Sequence, residues 1–174
     1  CSTLMQSIIK LPQPVIAQIH GTAAAAGCQL VATCDLAVAS TTAKFATPGV
    51  NIGLFCSTPM VAVSRKLPRK KMMEMLLMGD LVDAETALEF GLINRVVAYE
   101  QLEETVSNYA NKIKEKSPLV LKIGKEAFYN QIDMPLAEAY KYTAEVMTQN
   151  MLAQDANEGI NAFIEKRQPT WAGK

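Results

Sequence analysis

The stretch that decides the fold is residues 14–59, which read PVIAQIHGTAAAAGCQLVATCDLAVASTTAKFATPGVNIGLFCSTP. An apolar run over residues 15–19, closed by a His-Gly turn, predicts a buried strand. Small residues at 23–27 then lead into an apolar helical pattern that ends at Cys34. A second apolar run over residues 36–39 predicts the next strand. This order of strand, turn, helix and strand is typical of a parallel sheet with a crossover helix, and therefore of the α/β class.

The joint between the first strand and the helix is where this stretch could carry chemistry. A helix that begins directly after a strand presents its free N–H groups and the positive end of its dipole there. The alanines and Gly27 would let a ligand oxygen approach the backbone closely, which suits a developing oxyanion. The alternative is that small residues only allow the helix to pack against the sheet. The pattern alone does not decide between the two.

Five strings along the chain resemble the crotonase family, also called the enoyl-CoA hydratase/isomerase family. They are PVIAQIHGTAAAAGCQL, CDLAVAS, FATPGVNIGL, MLLMGDLVDAETALEFGLINRVV and EGINAFIEKRQPTW. The resemblance covers essentially all 174 residues. The strings AAGCQL and FATPGVN resemble one subgroup of the family in particular. It implies a crotonase-type spiral of β-β-α repeats followed by a C-terminal helical region, assembled as a homotrimer or a dimer of trimers. It also implies earlier repeats, before Cys1, that supply the other oxyanion donor and most of the coenzyme A cradle.

The resemblance implies a site for an acyl-CoA thioester. The backbone N–H of Ala26 matches one oxyanion donor, and Ala25 beside it is expected to contact substrate. Hydratases of the family use two glutamates to handle protons, and the matching positions here hold Gln29 and Gly49. An amide cannot exchange a proton near neutral pH, and glycine has no side chain. We therefore expect acyl-CoA binding and enolate stabilisation, in fatty-acid or acyl-CoA metabolism as a lyase or isomerase, without efficient enoyl-CoA hydration.

Few other residues in the N-terminal half offer reactive groups. Asp35 is the only carboxylate in residues 1–73 and follows the far end of the predicted helix, so we favour a structural role for it. His20, the only histidine, lies at a strand end, and the chain has no GxSxG motif. Phe55 and Cys56 are assigned either to the acyl pocket or to the core. No metal site is predicted, and no cofactor is expected beyond the coenzyme A of the substrate.

The composition suits one compact domain, because 49% of the 174 residues are apolar and 20% are charged. No apolar run is long enough to span a membrane. The four cysteines form no CxxC pair, which favours unpaired thiols in a reducing compartment. We expect a cytoplasmic location, with the mitochondrial matrix as the alternative. Because the chain begins at Cys1 without a Met, we also expect it to be a piece of a longer protein.

The chain changes character after its last predicted strand. Residues 1–98 carry the strands and are predicted to form a partial crotonase α/β core. Residues 99–174 show only helical patterns and are predicted to form an oligomerisation region. Apolar residues there, such as Met147, Met151 and Phe163, exceed what one small core would bury. We therefore expect self-association through these helices.

A basic segment, residues 65–71, carries five positive charges in seven residues. Residues 1–73 as a whole hold seven Lys or Arg against one carboxylate, which suits an anionic ligand but also fits an ordinary uneven surface. For the basic segment we favour solvent or phosphate contact over nucleic-acid recognition. Two alternatives to the enolate-stabilising function stay open. They are a non-catalytic acyl-CoA-binding or assembly subunit, and a nucleic-acid binder that uses residues 65–71.

Overall fold

A computed structural model describes residues 1–174, which divide into two compact units. The first unit contains Cys1–Ile9 and Val15–Ala110, and the second contains Lys10–Pro14 and Asn111–Lys174. The sequence predicts a boundary after residue 98, at the end of the last strand. The division between the two compact units instead falls inside the helix that follows.

The first unit holds all the strands and most of the short helices. In chain order its elements are α1 (Ser2–Lys10), β1 (Ile16–Ile19), β2 (Thr22–Ala24), α2 (Ala26–Thr33), β3 (Leu36–Ser40), β4 (Lys44–Ala46), a 3-10 helix (Pro48–Ile52), α3 (Pro59–Val63), α4 (Arg69–Met78), β5 (Val82–Asp83), α5 (Ala84–Glu89), β6 (Arg95–Val97), a second 3-10 helix (Tyr99–Gln101) and most of α6 (Leu102–Lys114).

Two three-stranded sheets organise this unit. The first has the order β1-β3-β6 with all strands parallel, and Ile16 pairs with Leu36. The second has the order β2-β4-β5, in which β2 and β4 are parallel and β5 is antiparallel to β4. Helix α2 connects the β1-β2 part of the chain to β3. The predicted strand–helix–strand unit of an α/β protein is therefore confirmed.

Strand β2 lies where the sequence predicts only a run of small residues leading into the helix. Alanines have low strand propensity, but pairing with β4 places Ala23 and Ala24 in a strand, and tertiary context of this kind often overrides propensity. The mostly apolar run from Leu92 to Val97 predicts a last strand that begins with Leu92 and Ile93. They are buried core residues instead, and β6 begins at Arg95.

The core of the first unit surrounds α2 and β4. Phe45 and Val63 are fully buried, and so is Cys28 of α2. The start of α2 and the end of β4, where the predicted site lies, therefore rest on a closely packed base.

Local signals begin and end the helices as the sequence predicts. Helix α3 begins at Pro59, and Gly79 ends α4 in a left-handed conformation (φ 67°). Asp83 caps α5, because its Oδ1 accepts a hydrogen bond from the Thr86 N–H at 2.8 Å. This bond to the charged form lowers the pKa of Asp83 below its ordinary value.

The second unit consists of helices and a C-terminal segment. It contains α7 (Pro118–Gln131), α8 (Leu136–Met151) and α9 (Gln154–Glu165). None of the helices of the chain is both long and apolar enough to cross a membrane.

One buried carboxylate ties the C-terminal segment to α9. Asp155 is 1% exposed, and its carboxylate accepts hydrogen bonds from the Ser117 hydroxyl at 2.5 Å and from the Ala172 N–H at 2.7 Å. Gly173 donates a further N–H to both carboxylate oxygens, at 3.2 and 3.1 Å. The hydrogen bond from Ser117 is the largest cause of a lowered pKa at Asp155.

Candidate functional site

The joint between β2 and α2 has an unusual backbone. Ala25, the residue before the helix, adopts φ 48° and ψ −111°, a conformation that residues other than glycine rarely adopt. Its N–H donates to the Ala46 carbonyl at 2.9 Å, which continues the β2–β4 pairing. Strain of this kind typically costs about 1–3 kcal/mol and persists where the surrounding structure imposes it, often at functional sites.

Helix α2 begins at Ala26, immediately after the strained residue. As the first helical residue, Ala26 has an N–H with no acceptor inside the helix. The helix is eight residues long and has no acidic or basic side chain in its first or last turn. No charged side chain of the helix therefore lies at its start, where the positive end of the helix dipole is located.

Gln29 lies one turn into the same helix. Its side chain is buried, with 4% of the residue exposed, and its Oε1 accepts a hydrogen bond from the Cys1 thiol at 3.7 Å. The main chain of Gln29 is held by two further bonds, from its N–H to the Ala25 carbonyl at 3.0 Å and from the Thr33 hydroxyl to its carbonyl at 2.7 Å. The residue thus places a neutral amide, with no titrating group, one turn from the helix start.

Gly49 lies in the 3-10 helix that follows β4. A β-carbon at this position would lie 2.9 Å from the Leu54 carbonyl oxygen, 3.0 Å from the Cys56 sulfur and 3.2 Å from the Cys56 nitrogen. The Gly49 N–H also donates to the Cys56 sulfur at 3.3 Å. The space that a side chain at residue 49 would need is therefore filled by the segment that ends at Cys56.

Two cysteines lie beside these residues: Cys28 precedes Gln29 in α2, and Cys56 contacts Gly49. Cys56 is 7% exposed and Cys28 is fully buried. Burial, with a smaller contribution from the nearby Cys56, raises the pKa of the Cys28 thiol to about 12, so this thiol stays protonated. Through Ala46 and these two thiols, the structure brings the helix start, Gln29 and Gly49 into one region.

An exposed apolar segment borders this region. Phe55 is 44% exposed, and its neighbours Ile52 and Leu54 are 77% and 65% exposed. The structure therefore places Phe55 at the surface of the unit and Cys56 in its interior. Three large apolar side chains beside Gly49 form a surface suited to an apolar chain of a ligand.

Asp35 and the basic segment, the other candidates from the sequence, make contacts within the first unit. The Asp35 carboxylate accepts the Val15 N–H at 2.7 Å, which ties the start of β1 to the start of β3. In the basic segment, Lys71 pairs with Glu74 at 3.2 Å and lies 4.9 Å from the centre of the Phe90 ring. No group of three or more His, Cys, Asp or Glu side chains could hold a metal ion.

Thr47 is a buried residue near the site that the sequence does not single out. This residue follows β4 directly and is completely buried, yet its hydroxyl has no hydrogen-bond partner. Because β2 and β4 pair Ala24 with Ala46, the next residues in register are Ala25 and Thr47. The string FATPG shows the threonine, but only the folded environment shows that its hydroxyl is unpaired.

Two open clefts lie elsewhere. One, of about 320 Å³ in the first unit, is lined by residues of α4, β5 and α5 and by Phe90, which follows α5. The other, also about 320 Å³, belongs to the second unit and is lined by Pro12, Pro118 and their neighbours. Neither lining includes a residue of the predicted acyl-CoA site, although Lys71 of the basic segment lines the first cleft.

Comparison with known proteins agrees with this fold. A model of the family described as Enoyl-CoA hydratase/isomerase matches residues 1–174. The crystal structure of an enoyl-CoA hydratase from Mycobacterium smegmatis matches with a TM-score of 0.97 and 48% identity, over 98% of this chain and 66% of that chain. The crystal structure of human enoyl-CoA hydratase domain-containing protein 3 matches with a TM-score of 0.96 and 49% identity, over 98% of this chain and 68% of that chain.

The parallel strand–helix–strand unit, the two small sheets and these structural matches define an α/β protein of the crotonase fold. The chain belongs to the enoyl-CoA hydratase/isomerase family. The subgroup indicated by the strings AAGCQL and FATPGVN is confirmed as well. Rat enoyl-CoA hydratase domain-containing protein 3, mitochondrial, is 50% identical over 172 residues. That alignment covers 99% of this chain and 57% of the rat protein, so the chain spans about three fifths of its relative's length.

Proposed function

We propose that this protein binds an acyl-CoA thioester and stabilises its enolate through the backbone N–H of Ala26. The observation that carries the proposal is the strained Ala25 directly before the helix start. A developing oxyanion at this point would meet an N–H that has no acceptor inside the helix and the positive end of the helix dipole. The exposed apolar segment beside Gly49 supports an acyl chain as the neighbouring group of the ligand.

The same site lacks an acid/base pair for hydration. Gln29 is a buried amide, and Gly49 offers only backbone. The Asp35 carboxylate is bound to the main chain of Val15, at the opposite end of α2 from Ala26. Enolate stabilisation needs none of these groups, whereas addition of water needs a positioned base and acid. The proposed activity is therefore enolate stabilisation with poor hydration of enoyl-CoA.

A non-catalytic acyl-CoA-binding or assembly subunit is the second candidate, because the space at Gly49 is filled by backbone and thiol. Nucleic-acid binding through the basic segment gains less support. The Arg65 guanidinium donates to the Val61 carbonyl at 2.7 Å, and Lys71 is paired with Glu74.

Acetoacetyl-CoA distinguishes the two candidates, because its enolate forms without an enzymatic base and absorbs in the near ultraviolet. An enolate-stabilising site should increase the enolate band when the full-length protein is added at a pH where the free thioester is mostly unionised. A thioester that raises the unfolding temperature without an enolate band would establish the non-catalytic binder. No band and no stabilisation would contradict acyl-CoA binding itself.

Exposed apolar side chains of the second unit support self-association. Five large apolar side chains of the second unit are each at least 70% exposed: Leu136, Tyr140, Leu152, Phe163 and Ile164. This exposure favours burial of the unit against further copies of the chain, as a homotrimer or dimer of trimers.

The cytoplasmic location expected from the cysteines gains no support. The names of the rat and human relatives describe mitochondrial proteins, which favours the mitochondrial alternative.

A further inference from the structure

The basic segment, residues 65–71, leaves most of its charge without a partner in the chain. The Lys71 ammonium lies 3.2 Å from the Glu74 carboxylate, so this one cation is offset locally. The other four positive side chains are exposed and form no ion pair: Arg65, Lys66, Arg69 and Lys70. Unpaired cations so close together create a local positive potential, which favours a ligand with several negative charges.

The helix that follows adds exposed apolar groups beside these cations. Helix α4 buries one face in the core of the first unit. Its outer face carries Met73 and Leu77, which are 48% and 58% exposed. Lys70, Met73 and Leu77 follow one another at helical spacing, so they lie in one stripe along that face. The outer face of α4 therefore combines basic and apolar side chains, whereas the outer face of a helix in a globular protein is usually polar.

Exposed apolar groups among cations favour a lipid surface over a nucleic acid. Proteins bind single-stranded nucleic acids by stacking bases on aromatic side chains, and residues 61–78 contain no aromatic residue. The Phe90 ring, which this segment contacts, has the Lys71 ammonium over its face at 4.9 Å. An anionic bilayer uses both kinds of group, because cations meet its headgroup phosphates and apolar side chains enter the layer just below them.

We propose that residues 65–77 form a docking surface for an anionic lipid bilayer. The four unpaired cations contact headgroup phosphates, and Met73 and Leu77 insert between the headgroups. The contact is peripheral, with α4 lying along the bilayer, and it requires no helix that crosses a membrane. The surface uses none of the residues of the proposed acyl-CoA site, so it can be tested independently of that function.

The test is flotation of the full-length protein with two kinds of vesicle, phosphatidylcholine alone and an equal mixture of phosphatidylcholine and phosphatidylglycerol. The wild type should float only with the mixed vesicles and should be largely released by high salt, which screens exposed charges. The double variant Lys66→Gln/Lys70→Gln should bind about 30-fold more weakly, from the typical contribution of two cations near an anionic membrane. Leu77→Gln should also weaken binding, because it removes an inserted apolar side chain.

Matched controls remove the same chemical groups elsewhere. Lys112→Gln/Lys114→Gln removes two exposed cations of α6, and Leu4→Gln removes a leucine of α1 that is 56% exposed. Both should float as the wild type does, and circular dichroism should show that every variant is folded.

The proposal is overturned if the wild type floats equally with both kinds of vesicle or with neither. It is also overturned if Lys66→Gln/Lys70→Gln or Leu77→Gln floats as the wild type does. A single-stranded RNA that displaces the wild type from the mixed vesicles and binds Leu77→Gln equally well would assign these cations to a nucleic acid instead.

Discussion

Residue 49 shows how closely the backbone is adapted to glycine at one position. Its φ is not in the left-handed region, so the requirement is for space and not for an unusual conformation. The Leu54 carbonyl and the Cys56 main chain and thiol occupy the place of a β-carbon. A larger residue would have to displace backbone, because only the thiol can move by side-chain rotation.

We predict that Gly49→Ala lowers the free energy of unfolding by about 1–3 kcal/mol, the usual cost of forcing an extra methyl group into a packed region. Denaturant unfolding monitored by circular dichroism measures the change. Gly21→Ala is the control, because a β-carbon at residue 21 meets no atom within 4 Å. A Gly49→Ala variant as stable as Gly21→Ala would show that residues 49–56 can move aside to accept a methyl group.

Several site residues could be identified from the sequence because each occupies a fixed place in a string. Ala26 and Gln29 belong to AAGCQL, and Gly49 belongs to FATPGVN. The strain at Ala25 and the unpaired hydroxyl of Thr47 could not be identified in this way. Both depend on the pairing of β2 with β4, which brings together residues more than twenty positions apart.

At the scale of elements, helices were easier to predict than strands. Ser117 followed by Pro118 marks the start of α7, and the Ser117 hydroxyl accepts the Val120 N–H at 3.2 Å. Such caps act within a few residues, so the sequence shows them directly. Strands β2 and β5 have three and two residues, and only their pairing with β4 defines them.

The contact between α9 and the C-terminal segment should depend on pH. The lowered pKa of Asp155 means that its carboxylate is bound more favourably in the folded state than in the unfolded chain. Its contribution to stability is therefore complete above the pKa of an unfolded aspartate, about 3.9, and is lost as the pH falls through the lower folded value.

Trp171, the only tryptophan, reports this contact, because its indole N–H donates to the Glu115 carbonyl at 2.8 Å. We predict that its fluorescence stays unchanged down to about pH 4 and shifts towards that of exposed indole in stronger acid. Asp155→Asn should show a shifted emission already at neutral pH. A wild type and an Asp155→Asn variant with the same emission at every pH would exclude Asp155 as the anchor.

A second charged group stabilises the same segment. Glu158 pairs with Arg167 through two bonds of 2.6 and 2.9 Å and accepts the Thr170 N–H at 2.7 Å. The hydrogen bonds from Arg167 lower the pKa of Glu158 to about 2. The contribution of this pair to stability should therefore be lost only in strong acid, as the pH falls towards about 2.

At the scale of the whole molecule, the apolar surface of the second unit favours self-association. Phe163 of α9 is 86% exposed, and Met147, Met151 and Ile160 are 61%, 51% and 45% exposed. We predict that light scattering of the full-length protein at micromolar concentration shows an oligomer and that Phe163→Asp shifts it towards monomer, because a carboxylate is costly to bury in an apolar interface.

The matched control for this change is Asn161→Asp, which adds the same charge at an exposed neighbouring position of α9. It should leave the mass unchanged. An oligomer that resists Phe163→Asp would place the interface elsewhere, and a monomeric wild type would contradict self-association.

We propose that backbone groups of the site stabilise an enolate, whereas Gln29 and Gly49 supply no acid or base for hydration. A general acid or base typically contributes about 10²–10⁴-fold, so the loss of both roles should be plainly measurable. Because the backbone around Gly49 leaves no room for a glutamate, the more informative variant is Gln29→Glu alone.

The most direct test is the rate of crotonyl-CoA hydration by the full-length protein, beside a family hydratase that carries both glutamates. The wild type should be slower by at least about 10²-fold at saturating thioester, since oxyanion stabilisation cannot transfer the protons. Gln29→Glu should recover part of the difference. Wild-type turnover equal to that of the hydratase would contradict the account and show that another residue supplies the base.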